Sequence, residues 1–192
     1  ISAMGGAGYN TGGLGGADEK TITGMILQNA RNVGSWAPGE LDSLLASKQV
    51  VRLPIKLYKK WFDELPGHFK ENVIRQWGKV EDSKIMVKDG YLIIPVLSGG
   101  NVVIMPEPMR GWLDDPYKIY HSTELYPHHQ YIAAYLWLKH EFNADAMIHL
   151  GRHATHEWFP GKQTGLSYEC PPVVLLTDIP NIYPYIVDGI GE

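Results

Sequence analysis

A chain of 192 residues, 44% apolar and 20% charged, can bury one substantial core or two small ones and has the composition of a soluble globular protein. A formal charge of −4 with no Lys/Arg cluster argues against a surface built to track nucleic-acid phosphates, although single basic residues can still meet an anionic small molecule. The single Cys170 excludes an intrachain disulfide framework and a thiolate metal site, and no apolar run approaches the length of a membrane span. A cytoplasmic setting is expected, with a periplasmic or membrane-associated one left open.

The first residues, Ile1 to Gly6, carry neither the basic nor the apolar region of a secretory signal and read as a boundary. Together with the abrupt end at Glu192, they lead us to expect a piece of a longer polypeptide. Gly5 to Gly16 reads as a loop or linker, flexible or adapted to a ligand. No Gly-Lys-Ser/Thr follows, which speaks against a phosphate loop. Residues 1–16 are therefore expected to form a Gly-rich loop.

Residues 17–90 are expected to be mainly helical. Asp18 is placed to cap a helix whose apolar face is Ile22, Met25, Ile26 and Ala30. Pro38 suits an early helical position, with Leu41, Leu44 and Leu45 as the face behind it. Val50 to Pro54 reads as a short strand. Leu57 and Trp61 share one helical face, and Phe69, Val73 and Trp77 another, which Gly78 ends. These aromatics are expected in the core.

Residues 91–192 read as an α/β portion. Tyr91 to Val96 and Asn101 to Met105 are β-rich runs expected to form a hairpin or adjacent strands, with Pro95 marking an edge or an interruption. Pro106 to Gly111 leaves the second run through a restrained loop. Pro127 opens the clearest helix, in which His128, Tyr131, Ile132, Tyr135, Leu138 and Phe142 recur at helical spacing. Ala144 to His149 returns to strand, Val173 to Leu176 reads as another, and Ile179 to Val187 begins as loop and ends as an apolar helix or strand. The order from Asn101 to His149 favours some parallel pairing. The expected class is α/β: a mixed or mostly parallel sheet with packed helices and a helical N-terminal portion.

The chemistry concentrates in His149-Leu-Gly-Arg-His-Ala-Thr-His-Glu-Trp-Phe-Pro-Gly161, followed by Lys162. Ligands of open α/β sheets bind beyond the carboxyl ends of strands. Imidazole and carboxylate there can bind a metal or move protons near neutral pH. One helical turn from Ala154 to Trp158 puts His153, His156 and Glu157 on a related face, and His149 can join them from the strand end. The order His153-Ala-Thr-His156-Glu157 is not the zinc-protease spacing. The bland alternative is that these imidazoles pair with backbone carbonyls or carboxylates. Arg110 and Arg152 are candidates for gripping a substrate carboxylate through their planar forks, with Lys162 as a less directional contact. His128 and His129 sit where the helix N-terminus disfavours their charged form, so they can bind metal or accept a proton. Tyr120 and His121 are candidates to line the same cleft.

From Pro106 onward the chain resembles the large subunit of the tetrapyrrole metal chelatases, the CobN-like cobaltochelatase and magnesium chelatase large subunits. The resemblance rests on Pro108-Met-Arg-Gly111, Tyr120-His121, Pro127-His-His-Gln-Tyr131, Tyr135-Leu-Trp-Leu138, Ala144 to His153, Glu157 to Lys162, Leu166 to Cys170 and Asp178 to Val187. Leu53-Pro54, Trp61, Leu65-Pro66 and Trp77-Gly78 extend it upstream. It implies a large subunit that binds a tetrapyrrole, takes cobalt, magnesium or iron as divalent substrate or product, and uses ATP only through separate AAA+ partners. By that analogy His149, His153 and Glu157 lie near the metal or macrocycle, and Arg110 and Lys162 shape the polar part of the cleft. Two positions depart from the common loop pattern of the family. Ala154 stands where a glycine is usual, and His156 where a leucine precedes the glutamate. An added imidazole suits capture of a leaving metal, so iron removal from haem stands beside metal insertion. A tetrapyrrole or metal-binding module without turnover is a further alternative.

Overall fold

The computed structural model describes residues 1–34, 37, 39–47, 49–111, 122–151, 155–161 and 165–184, with residues 155 and 157 described by backbone only. The architecture is mixed α/β, with helices packed on small open sheets and a helical N-terminal region.

Strand β3 (Tyr91–Pro95) lies in the middle of a three-stranded antiparallel sheet, between β1 (Val50–Pro54) and β2 (Val87–Lys88). Successive side chains of a strand point to opposite faces, and here the alternation separates two cores. Leu92 and Ile94 enter the main cluster with Leu53, Tyr58, Phe69, Val73 and Ile132, while Ile93 joins Val33, Leu44, Ile85 and Met86. Being buried on both faces explains why β3 is a continuous apolar run. Full burial of each such Leu, Ile or Phe contributes about 1.5–3 kcal/mol.

The helices before β3 follow their apolar spacing. Asp18 accepts from the Thr21 N–H at 2.8 Å and caps α2 (Glu19–Asn29). Leu44 of α3 (Glu40–Ala46) is wholly buried; Pro38 lies outside the described residues. In α4 (Ile55–Asp63) the residues fully inside are Tyr58 and Phe62, with Leu57 and Trp61 half-buried beside them. Gly78, at φ 74°, ends α5 (Gly67–Trp77) in a conformation that favours glycine.

Four expectations are corrected. Within the Gly-rich start, Ser2–Gly6 forms a short helix (α1), and Gly12–Leu14 a 3-10 turn docked on the turn at Gly99-Gly100. A Cβ on Gly99 would lie 2.4 Å from the Thr11 carbonyl, and Asn101 N–H donates to the Asn10 carbonyl at 2.7 Å. The expected hairpin between residues 91–96 and 101–105 is instead a sheet change. Pro95 ends β3, and β4 (Leu97–Gly99) pairs antiparallel with β5 (Val102–Ile104) in a separate ladder. The parallel partner of β6 (Met147–Ile148) is not β5 but β7 (Asn181–Ile182). Finally, Val173 to Leu176 is helical, within α7 (Pro171–Leu176). Pro171 and Pro172 preset the first helical positions and outweigh the strand preference of the two valines.

Helix α6 (His129–His140) is the axis of the main core. Every residue from His129 to Leu138 is buried, the pattern of a helix covered on all sides. It carries two tyrosines one turn apart beneath the loop that follows β5 and the end of β6. No described helix is long and apolar enough to cross a membrane.

Candidate metal centre

Four segments converge over Tyr131 and Tyr135. The loop after β5 contributes Glu107, the end of β6 His149, the 3-10 turn Thr155–Trp158 His156, and β7 Asn181. In β6, Met147 points into the core and Ile148 outward, so alternation turns His149 inward toward α6. Its backbone N–H is held by the Ile182 carbonyl at 2.9 Å. Glu107 lies between Pro106 and Pro108, which restrict its backbone. The loop is fastened at two carbonyls. The Asn32 side-chain amide donates to that of Glu107 at 2.6 Å, and the His128 ring N–H donates to that of Met109.

One donor atom each from Glu107, His149 and His156 lies within 4.8 Å of the others. Glu107 Oε2 is 3.5 Å from His149 Nε2. The Tyr135 hydroxyl sits among the three, 2.9 and 3.0 Å from the Glu107 oxygens, 3.0 Å from His149 Nε2 and 2.7 Å from His156 Nε2. Tyr131 also donates to Glu107 Oε1.

Hydrogen counting assigns the protons. A carboxylate only accepts, so both tyrosines donate to Glu107, and the Tyr135 oxygen is left to accept from both imidazoles. His149 then donates from Nε2 and, through Nδ1, to Asn181 Oδ1 at 2.7 Å, which makes it an imidazolium. Burial alone lowers the affinity of His149 for its second proton, but the Glu107 carboxylate beside it, helped by the Asn181 hydrogen bond, raises its pKa above the ordinary imidazole value. Glu107 shows the converse. Burial pushes its carboxyl up, and His149, the nearby His156 and the Tyr131 hydroxyl outweigh that and hold it below the usual carboxylate range. His156, driven down to about 4 chiefly by burial, is neutral. Its Nε2 donates to Tyr135, so its buried Nδ1 keeps a lone pair with no hydrogen-bond partner among the described residues.

Two imidazoles and one carboxylate suit borderline first-row transition ions, and a set of three protein donors leaves positions open for a further ligand. A divalent ion there would replace the His149 proton as the positive partner of Glu107 and give the donor set a common centre.

The other candidates divide. His128 and His129 are both buried and engaged inside the core. His128 accepts from the Tyr131 N–H at 3.2 Å as the N-cap of α6, and burial pulls it down to about 3. His129 bridges the Tyr58 hydroxyl at 2.8 Å and the Gly78 carbonyl at 3.0 Å, and burial lowers it as well. Arg110 is 1% exposed, donates to the Ser122 and Leu125 carbonyls at 2.9 and 2.8 Å, and lies 4.6 Å over the Phe159 ring. Burial lowers its guanidinium to about 10. Tyr120, His121, Arg152, His153 and Lys162 lie outside the described residues, as does the Glu157 side chain. Sequence reading missed Glu107, Asn32 and both tyrosine hydroxyls. The only local signal for Glu107 was a carboxylate pinned between two prolines.

The profile of the CobN/Magnesium Chelatase family matches residues 1–192, the whole chain. The chain belongs to that family. It is 42% identical over 135 residues to the aerobic cobaltochelatase subunit CobN of Pseudomonas aeruginosa, covering 70% of this chain and 11% of that protein. Against a magnesium-chelatase subunit of Chlorobaculum parvum the identity is 35% over 139 residues, covering 72% and 11%. The solved catalytic subunit of cobaltochelatase from Mycobacterium tuberculosis superposes with a TM-score of 0.72 at 34% identity, over 95% of this chain and 15% of that one. The chain thus spans only a small part of the length of these family members.

Proposed function

We propose that this chain is the segment of a chelatase-like large subunit that holds a divalent metal beside a tetrapyrrole and passes it into the macrocycle. The observation that carries the reading is the convergence of Glu107, His149 and His156 around one hydroxyl, in a chain of the CobN/magnesium chelatase family. Insertion releases two pyrrolic protons for each ion that enters. Glu107 and the two imidazoles hold the ion, and imidazoles freed as it leaves accept protons. In this reading His153 and Glu157 complete the catalytic edge of the loop. Arg152, Lys162, Tyr120 and His121 meet the acidic side chains of the macrocycle. Arg110, His128 and His129 support that cleft from inside the core. The donor set favours cobalt or iron over magnesium, which prefers oxygen ligands. ATP hydrolysis belongs to AAA+ partner subunits, and the remaining domains of the large subunit complete the cleft.

One observation favours a second reading, removal of iron from haem. His156, at the position where the family pattern has leucine, turns its Nε2 into the cluster and is held neutral by burial. Two protons would then enter the macrocycle as the ion leaves for the cluster.

The test is a spectrophotometric titration of the full-length protein with haem, metal-free porphyrin and a corrin acid. Free metal is followed in the same samples, and His153→Ala and His156→Ala are compared with wild type. Insertion predicts metal disappearing into a metal-free macrocycle only with ATPase partners. Metal released from haem and lost in the variants would reverse the direction. Binding with no change in metallation would reduce the protein to a binding module.

A further inference from the structure

Glu107 has two oxygens, and the structure treats them differently. Oε1 receives the Tyr131 hydroxyl, the Tyr135 hydroxyl lies astride both at 3.0 Å from Oε1 and 2.9 Å from Oε2, and Oε2 also faces His149 Nε2 at 3.5 Å. The two hydroxyls come from successive turns of α6, whose residues from His129 to Leu138 are all buried. The tyrosine rings stack with centroids 5.4 Å apart and planes 13° apart. Phe159 packs edge-on against Tyr131 at 5.1 Å, and His156 edge-on against Tyr135 at 4.9 Å. Neither ring can turn away without disturbing the core. On the backbone side, Asn32 and the flanking prolines fix where the carboxylate starts. Hydrogen bonds to a ligating group orient it and tune its donor strength.

We propose that Tyr131 is a positioning residue that makes Glu107 a one-oxygen donor, occupying Oε1 and leaving Oε2 for the ion. This rests on the reading of Glu107, His149 and His156 as a metal centre. The consequence is specific to transfer. A carboxylate free to chelate through both oxygens would close a fourth bond to the ion. A carboxylate with one oxygen held by the Tyr131 hydroxyl offers one bond, leaves a coordination position for an incoming or departing pyrrole nitrogen, and lets the ion go more readily.

The test uses the full-length protein with Co(II) as the probe. On Co(II) addition, the infrared difference spectrum reports the gap between the antisymmetric and symmetric carboxylate stretches. The gap is wide for one-oxygen coordination and narrow for two-oxygen coordination, and Glu107→Gln identifies the bands. The wild type should show the wide gap, Tyr131→Phe should narrow it, and Tyr135→Phe, which removes a hydroxyl shared by both oxygens, should leave it wide. Both variants keep the ring, and a thermal melt checks that they fold. A narrow gap in the wild type overturns the proposal without any variant. An unchanged wide gap in folded Tyr131→Phe overturns it while leaving the metal centre intact. Co(II) that is not retained by the wild type at all removes the metal centre, and this proposal with it.

Discussion

Two pairs of histidines sit on the same helix or pack against it and have opposite chemistry. His128 and His129, at the start of α6, are buried among neutral partners, with carbonyls of Met109 and Gly78 and the hydroxyl of Tyr58 absorbing their hydrogen bonds. Both are held neutral. His149 and His156, on the loops that cross the same helix further along, surround a carboxylate, which raises the pKa of His149 while burial lowers that of His156. The residue type is the same in both places. What differs is whether a carboxylate sits against the ring: Glu81 acts on His129 only as a weaker influence behind burial and the Gly78 carbonyl, whereas Glu107, from a separate segment of the chain, lies among the second pair. An imidazole therefore becomes a structural pin or a candidate ligand according to its partner.

The largest expected effect comes from removing that partner. Glu107→Ala should cost more than about 100-fold in Co(II) affinity, because the only carboxylate of the described cluster is lost. It also leaves the hydroxyls of Tyr131 and Tyr135 without their carboxylate acceptor, at a cost of about 1–3 kcal/mol of stability. Calorimetric titration and a thermal melt read the two effects separately. If affinity survives, the contrast between the pairs collapses, since His149 and His156 would then bind no differently from ordinary buried imidazoles.

The next effect sharpens the comparison through pH. The folded pKa of His128, about 3, lies below its ordinary value of 6.5, so the unfolded chain binds the proton more readily. Its contribution is fully present above pH 6.5 and is lost as pH falls from there toward 3, by up to roughly 1.4 kcal/mol per pH unit. His149 has the opposite sign. Its folded pKa is raised, so its contribution is complete below 6.5 and disappears as pH rises through the folded value. Melting midpoints across pH 4 to 8 should show His128→Gln flattening the acid limb only, and His149→Gln weakening the protein chiefly on the acid and neutral side. Equal responses from the two variants would mean that the pairs share one environment.

The smallest effect lies at Asn32. Asn32→Ala removes one hydrogen bond to the Glu107 carbonyl and should cost about 1 kcal/mol of stability. Co(II) affinity should fall by less than about 10-fold, because the carboxylate stays tethered by its tyrosines. A change as large as that of Glu107→Ala would make the N-terminal region, not α6, the main support of the centre.

Much of this was legible in the order of residues. The 3.6-residue spacing of α2, α5 and α6, the Asp18 cap and the Gly78 stop are local signals, and each formed where it was expected. His149 and His156 stood out because imidazoles are rare and these follow a strand. Pairing between strands was less readable. A two-residue ladder such as β6 with β7 leaves almost no periodic trace, and nothing local says that β5 and β6 belong to different sheets. In α7 the turn chemistry of Pro171-Pro172 competed with two β-branched residues, and the tertiary packing of Val174 and Leu175 into the core sided with the helix.

The sequence by itself determined the α/β class, the helix α6, the presence of imidazoles at a strand end and the resemblance to the chelatase large subunits. These follow from periodicity, capping and residue type, which act over a few positions. Only the tertiary structure decided which imidazoles meet a carboxylate. It brought Glu107 and Asn32 from distant segments to the Tyr131 and Tyr135 hydroxyls, and it enclosed His128 and His129 in neutral contacts. The reason is range. Helix spacing is set within one or two turns, whereas the charge state of a buried imidazole depends on groups that approach it only once the core has closed.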